Sequence, residues 1–188
     1  MNQKTLYTIS IIVLILLISG CGKRSGDNYL IGKLESFENT DMVIPDQLEV
    51  VQDGSLSSYS LNPSINNHFV IYYDSLSCSS CQIKRLSEND YLFNLSDSLK
   101  SFDVLVIFSP KEDHVIDVIQ SLLGTGCSYP VLIDTQHEFA LSNPHIPSDN
   151  RFHYFLLNKE SKPIFVGNPH DNDRLYNSFI KSLNNNYL

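Results

Sequence analysis

The sequence has few basic residues, and it lacks any internal repeat or low-complexity block. Its 188 residues include 13 Lys and Arg against 21 Asp and Glu, so the formal net charge is -8. A chain without a basic surplus has little to neutralise phosphates with, which argues against nucleic acid as a partner. Its length suits a single domain.

Long apolar runs are also missing. The longest, residues 11–18, falls short of the roughly 20 residues that a membrane-spanning helix needs. Lys4 precedes this run and Ser19-Gly20-Cys21 follows it, which is the order of an export signal. The stretch Ile18-Ser19-Gly20-Cys21 resembles the lipobox of bacterial lipoproteins, and this resemblance implies cleavage before Cys21 and lipidation of that cysteine. An uncleaved anchor, or an ordinary signal with a chance cysteine, would export the domain equally.

These features divide the chain into three parts. We expect a lipoprotein signal peptide over residues 1–20, a lipidated Cys21 with a polar, flexible tether up to residue 29, and one folded domain over 30–188. The predicted location is the cell envelope, facing the periplasm. Because the acidic domain would be weakly repelled by an anionic bilayer, attachment would depend on the lipid anchor.

Turn signals and apolar patterns predict the order of secondary structure. Asp53-Gly54 between short apolar stretches predicts an N-terminal β-hairpin, and residues 68–73 predict a buried strand. Further strands are predicted over residues 102–108 and 129–134, and a second hairpin over 152–166. Strands that alternate with helices indicate parallel pairs, whereas the hairpins are antiparallel. The expected fold is α/β, with a mixed sheet.

Helix starts are predicted from capping residues. Ser77 is a suitable N-cap for a helix that follows the strand over residues 68–73. Ser109, with Pro110 behind it and Glu112 three residues on, has the pattern of a capping box. The segment Gly124 to Gly126 is expected to end that second helix, and an amphipathic helix around Phe179 is expected to close the fold.

Cys78-Ser79-Ser80-Cys81 lies where the strand over residues 68–73 passes into a helix. The unpaired N–H groups of a first helical turn favour a thiolate, and a second cysteine three residues on can attack a mixed disulfide. This arrangement favours a redox-active dithiol. A stable structural or vestigial disulfide, half of a zinc site and coincidence are the alternatives. Zinc would require Cys127 and a distant histidine, so no metal or other cofactor is predicted.

In these features the chain resembles the thioredoxin-like superfamily, in particular the extracytoplasmic, membrane-tethered thiol-disulfide oxidoreductases of the TlpA and peroxiredoxin-like type. The resemblance covers roughly residues 40–183 and depends on the segments 69–73, 78–81, 129–134 and 155–167. It implies a thioredoxin-like fold with helices on both faces of the sheet. It also implies a function in which Cys78 and Cys81 exchange with exported protein thiols or disulfides and with a membrane electron donor. A non-catalytic binding module with the same fold is the alternative.

Three positions depart from the family pattern. Ser77 stands where the family usually has Trp, and the chain contains no Trp. Phe152 stands at the usual cis-proline position, with Pro147 upstream. Tyr72 stands where many relatives have a buried acid, and Asp74 is expected in an exposed loop.

Two other residues are candidate auxiliaries of the dithiol. His153 follows Phe152 and is expected near the cysteines. Cys127 is left over after Cys21, Cys78 and Cys81 are assigned. It is either a resolving thiol, an intermolecular link or a buried spectator.

Overall fold

The computed structural model describes residues 24–46 and 48–185, with the side chains described from residue 29 onward. The predicted signal peptide and Cys21 lie outside the described residues. The chain divides into two units after Ser36. Among the described residues, no helix is long and apolar enough to cross a membrane.

Helix α1 was not expected from the sequence. It covers Arg24–Glu38, so the described part of the segment expected to be a tether is helical. Leu30, Leu34 and Phe37 are spaced by four and three residues, which is the apolar spacing of a helix. The polar residues before Leu30 concealed this short pattern.

The second unit, from Phe37 onward, contains a seven-stranded sheet within the described residues, in the order β2-β1-β5-β4-β3-β6-β7. The strands are β1 (Glu49–Gln52), β2 (Ser55–Ser58), β3 (His68–Tyr73), β4 (Asp103–Phe108), β5 (Val131–Ile133), β6 (Tyr154–Leu157) and β7 (Pro163–Val166). The α-helices are α2 (Ser79–Lys84), α3 (Asp90–Leu99), α4 (Val115–Thr125), α5 (Glu138–Ser142) and α6 (Asp173–Asn185). Short 3-10 helices cover Leu86–Asn89, Glu112–His114 and Asn150–Phe152.

Strand directions agree with the expected mixed sheet. The central strands β3, β4 and β5 are parallel, whereas β1 and β6 run antiparallel to their neighbours β5 and β3. The predicted hairpins are β1–β2 and β6–β7. In the first hairpin, Asp53 and Gly54 have φ angles of 48° and 69°, the left-handed values that a two-residue turn of type I′ requires. Strand β2 is exposed along its whole length at one margin of the sheet.

The two faces of the sheet support separate apolar clusters. Phe69, Ile71 and Tyr73 of β3 pack on one face, together with residues of α2, α3, α4 and α6. Val70 and Tyr72 pack on the other face, in a cluster with Phe139 of α5, Phe37 and Met42. Alternation along β3 explains this division, because successive side chains point to opposite faces. The expectation of helices on both faces is confirmed.

Both predicted helix caps are wrong. The residue that caps α2 is Cys78, whose side chain makes no capping hydrogen bond, while the hydroxyl of Ser77 donates to Asp74. Ser109 is fully buried and its hydroxyl donates to Asp134, so it does not cap the helical segment that begins at Glu112. Each serine hydroxyl is hydrogen-bonded to a carboxylate and not to the first turn of a helix. Gly126 ends α4 as predicted, with a φ of 62°.

Candidate active site

The two cysteines of the CxxC sequence are joined in a disulfide. Cys78 ends the loop after β3, and Cys81 lies in α2, with 5.3 Å between their Cα atoms. The N–H groups of Cys81 and Gln82 both donate hydrogen bonds of 3.0 Å to the carbonyl oxygen of Cys78. The first turn of α2 therefore fixes the distance between the cysteines.

Asp74 organises the loop that leads to Cys78. Its Oδ1 atom accepts hydrogen bonds from the N–H groups of Leu76 and Ser77, at 3.1 and 2.8 Å, and from the Ser77 hydroxyl at 2.7 Å. The carboxylate is half-buried, although an exposed loop was expected for it. Through these hydrogen bonds, Asp74 holds the backbone before the dithiol in a fixed turn.

Both cysteines are exposed. The Sγ atom of Cys78 lies 3.6 Å from the Ser80 hydroxyl, the polar side chain that the structure places next to it. Thiol-disulfide exchange requires a sulfur that another sulfur can reach. This disulfide meets that requirement.

A polar pocket lies on one side of the dithiol. It has a volume of about 160 Å³, and its lining includes Ser77 and Gln82, the sequence neighbours of the two cysteines. Tyr73 and Tyr154 also line it, with their hydroxyl groups 3.4 Å apart. Burial raises the pKa of Tyr154 well above its ordinary value, so its phenol stays protonated at neutral pH. Arg85 and Glu88, which also line the pocket, are bonded to each other.

A wider groove lies on the other side. It has a volume of about 430 Å³ and runs between the loop before α2 and helix α4. Cys78 lines this groove, together with Leu76 from the loop and Val118 from α4. Neither cysteine lines the polar pocket. The groove is therefore the concavity that leads directly to a cysteine of the dithiol.

His153 lines the polar pocket, and Phe152 precedes it in the chain. The carbonyl of His153 accepts a hydrogen bond from the N–H of Tyr72 at the end of β3. Phe152 is buried in a 3-10 helix instead of a strand, and the described residues contain no cis peptide bond. The N–H groups of Phe152 and His153 donate to Asp149 and Asn150, at 2.9 and 3.1 Å. These two groups are therefore not free to pair with the backbone of another chain.

The imidazole of His153 is buried, with 2% of the residue exposed. Its Nε2 atom lies 2.9 Å from the carbonyl oxygen of Pro147, which can only accept, so Nε2 carries the proton. Nδ1 has no hydrogen-bond partner within the described residues. Burial lowers the pKa of His153, partly opposed by its contact with Pro147 and by the charges of Asp74 and Asp149. The ring is thus held in its neutral form near pH 7.

Tyr72 stands where the sequence resemblance led us to look for a buried acid. Burial raises the pKa of Tyr72 above its ordinary value, so its phenol stays protonated near neutral pH and carries no charge there. Its ring packs against Phe139 and His153, with centroid distances of 5.0 and 5.2 Å. These contacts are those of a packing residue in the apolar cluster that contains Phe139.

Cys127 is a free, half-buried thiol that follows the end of α4. Burial raises the pKa of Cys127, which makes its thiolate scarce at neutral pH. It lines a further groove of about 440 Å³ with Ile83 and Lys84 of α2. No three His, Cys or carboxylate residues within the described part of the chain are grouped as metal ligands would be.

Sequence reasoning missed Leu76 as a site residue. It is 80% exposed and lies two residues before Cys78. An apolar residue within the polar segment from Asp74 to Ser80 was a visible signal. The contribution of α4 to the site had no comparable signal, because it depends on the packing of helices.

Comparisons with known proteins place the fold. No protein-family model matches the sequence, and no curated protein sequence matches it significantly. A crystal structure assigned as the thiol:disulfide interchange protein DsbE of Chlorobium tepidum aligns with a TM-score of 0.50 and 11% identity, over 77% of this chain and 98% of that one. AhpC of Enterococcus faecalis aligns with a TM-score of 0.46 and 13% identity, over 75% and 89%. A thioredoxin-like protein of Aeropyrum pernix aligns with a TM-score of 0.43 and 12% identity, over 84% and 96%.

The chain has an α/β, thioredoxin-like fold. Its mixed sheet with helices on both faces and the DsbE alignment agree on this. At such low identities the likeness concerns the fold alone. The chemistry of the site must be argued from its own residues.

Proposed function

We propose that the protein is a membrane-anchored thiol-disulfide oxidoreductase of the cell envelope, acting on exported protein thiols through Cys78 and Cys81. The observation that carries the proposal is the exposed Cys78–Cys81 disulfide at the start of a helix. A disulfide bond so placed can form and break at the surface of the protein. The protein of similar fold from Chlorobium tepidum is itself described as a thiol:disulfide interchange protein.

The proposed exchange conserves electrons and protons. In the reducing direction, the Cys78 thiolate attacks one sulfur of a substrate disulfide and the other substrate sulfur leaves as a thiolate. Cys81 then loses its proton to solvent, attacks Sγ of Cys78 and releases the second substrate thiolate, so two electrons pass from the protein dithiol to the substrate. A membrane electron donor with a dithiol would restore Cys78 and Cys81. The same steps in reverse oxidise a substrate dithiol.

Serine variants of the three domain cysteines test this activity. We expect Cys78→Ser to abolish reduction of a protein disulfide by the pre-reduced enzyme, and Cys81→Ser to accumulate mixed disulfides that non-reducing electrophoresis resolves. Cys127→Ser is the matched control and should retain turnover, because this thiol lies outside the dithiol. Equal activity of Cys78→Ser and wild type would refute the proposal.

One observation favours a non-catalytic binding module. The segment that ends at His153 uses its backbone N–H groups within its own 3-10 helix, so a substrate strand cannot pair with them. For a vestigial disulfide, Cys81→Ser would trap no partner in cells. Recovery of exported proteins in mixed disulfides with Cys78 would decide against the module.

The proposed anchor is tested separately. Mass spectrometry of protein extracted from membranes should find a mature N-terminus at Cys21 with added acyl mass. Cys21→Ser should release the protein from membranes. An unmodified N-terminus at residue 21 would contradict lipidation without affecting the proposal for the dithiol.

A further inference from the structure

The groove that Cys78 lines has an uncovered apolar rim. Leu76 is 80% exposed, although its backbone is fixed by the hydrogen bond from its N–H to Asp74. Across the groove, Val118 of α4 and Ile83 of α2 contribute to the lining, with 5% and 8% of each residue exposed. Leu76 therefore presents an apolar side chain in a fixed loop two residues from a disulfide sulfur.

One wall of this groove carries a lysine. Lys111 and Asp117 line this wall, as does His114, whose Nε2 atom lies 3.5 Å from an oxygen of Asp113. No ion pair between described residues involves Lys111 or Asp117. In a protein with a net charge of -8, a lysine left available beside the reactive centre favours an acidic group in whatever occupies the groove.

The opposite side of the dithiol is less suited to a polypeptide. The polar pocket there has about 160 Å³ against about 430 Å³ for the groove. The N–H groups of Phe152 and His153 are already bonded to Asp149 and Asn150. On that side an extended chain would find a smaller concavity, and it could not pair with the N–H groups of Phe152 and His153.

We propose that the groove between the loop before α2 and helix α4 binds an extended polypeptide segment of the substrate protein. Its cysteine meets Cys78, an apolar side chain beside that cysteine packs on Leu76, and a carboxylate further along meets Lys111. This inference rests on the proposed function and names the substrate class for the same dithiol. The groove, and not the polar pocket, selects the substrate.

The test compares two disulfide probes with the pre-reduced enzyme in single turnover. One is the disulfide of a short peptide with leucine beside its cysteine and a glutamate two residues further on, and the other is hydroxyethyl disulfide. The measured quantity is the ratio of the two rate constants, followed by quenching and mass spectrometry. In wild type we expect the peptide to react faster.

Leu76→Ser should lower this ratio by about 10-fold, because it removes most of the apolar surface that the peptide leucine would cover. Leu141→Ser is the matched control, since Leu141 is a 75% exposed leucine in α5, which packs on the other face of the sheet. Its ratio should stay at the wild-type value. A Leu76→Ser ratio equal to that of wild type would overturn the inference.

Charge is tested by replacing the peptide glutamate with lysine. Wild type should prefer the glutamate peptide, and Lys111→Glu should reverse that preference. A preference that Lys111→Glu leaves unchanged would overturn the carboxylate contact.

Two further outcomes are decisive. If the reduced enzyme consumes neither probe, the proposed function fails, and the groove as a substrate site fails with it. A second copy of the chain is the other occupant to consider. Sedimentation that finds a dimer in wild type and a monomer in Leu76→Ser would overturn the inference, whereas a wild-type monomer supports it.

Discussion

The hydroxyl of Ser109 donates a hydrogen bond of 2.8 Å to the carboxylate of Asp134, and both residues are buried. Ser109 follows β4 and Asp134 follows β5, so the bond joins the ends of two neighbouring parallel strands. Asp134 also accepts hydrogen bonds from the N–H groups of Glu138 and Phe139, at 2.8 and 3.0 Å. One carboxylate thus connects two strand ends to the start of α5.

Ser109→Ala should destabilise the fold by about 1–3 kcal/mol, because it removes one hydrogen bond from a buried carboxylate. Urea denaturation followed by circular dichroism measures the change. Ser87→Ala, at an exposed position, is the control and should change the free energy of unfolding by less than about 0.5 kcal/mol. Equal midpoints for wild type and Ser109→Ala would show that the bond contributes nothing.

The stability of the protein should depend on pH through His153. Burial lowers the pKa of His153 in the folded protein, so the unfolded chain binds this proton at a higher pH. The free energy of unfolding should therefore fall as the pH drops below the ordinary histidine value of about 6.5, and should go on falling until the folded-state pKa is reached.

Urea denaturation between pH 8 and pH 5, a range of roughly the histidine titration, measures this dependence. His153→Gln should remove that part of the slope, while His145→Gln, at an exposed histidine, should keep it. Parallel curves for wild type and His153→Gln would count against the assignment.

The thiols should differ in reactivity once the disulfide is reduced. Cys78 is exposed at the start of α2, whereas burial raises the pKa of Cys127. At pH 7 we expect iodoacetamide to alkylate Cys78 at least about 10-fold faster than Cys127, because the thiolate is the reacting form. Peptide mass spectrometry after timed quenching gives both rates from one sample. Similar rates at the two positions would weaken the case for an activated thiol.

Two glycines at the C-terminal end of α4 provide a matched pair of substitutions. Gly124 lies within the helix, where an added Cβ atom would meet no neighbouring atom, and Gly126 has a φ of 62° at its end. Gly124→Ala should stabilise the protein by about 0.5–1 kcal/mol, and Gly126→Ala should destabilise it by about 1–2 kcal/mol. Thermal unfolding of both variants checks the opposite signs. A shift of the same sign in both would contradict the described end of α4.

Sequence patterns correctly predicted those elements whose conformation depends mainly on their own residues. The strand His68–Tyr73 has the predicted bounds, because six consecutive apolar or aromatic positions are buried there. The turn at Asp53-Gly54 needed only the left-handed preference of its own residues. The position of the dithiol followed from the order of β3 and α2.

The errors concern residues whose partners lie elsewhere. Ser109 looked like a helix cap, but its hydroxyl is used by Asp134, which is 25 residues away in sequence. Helix α5 was missed because its five residues show little periodicity and its start depends on Asp134. The groove beside Cys78 was not predicted either, because it forms only when α4 packs near the loop that carries Leu76.

The margins of the sheet have a consequence for self-association. Strand β2 at one margin is short and consists of three serines and Leu56, and β7 at the other begins with Pro163, which has no N–H to offer. Long, flat apolar margins recruit strands from other molecules, and short margins interrupted by polar residues or proline resist this. Crowded copies of this domain should therefore stay separate instead of joining their sheets into polymers.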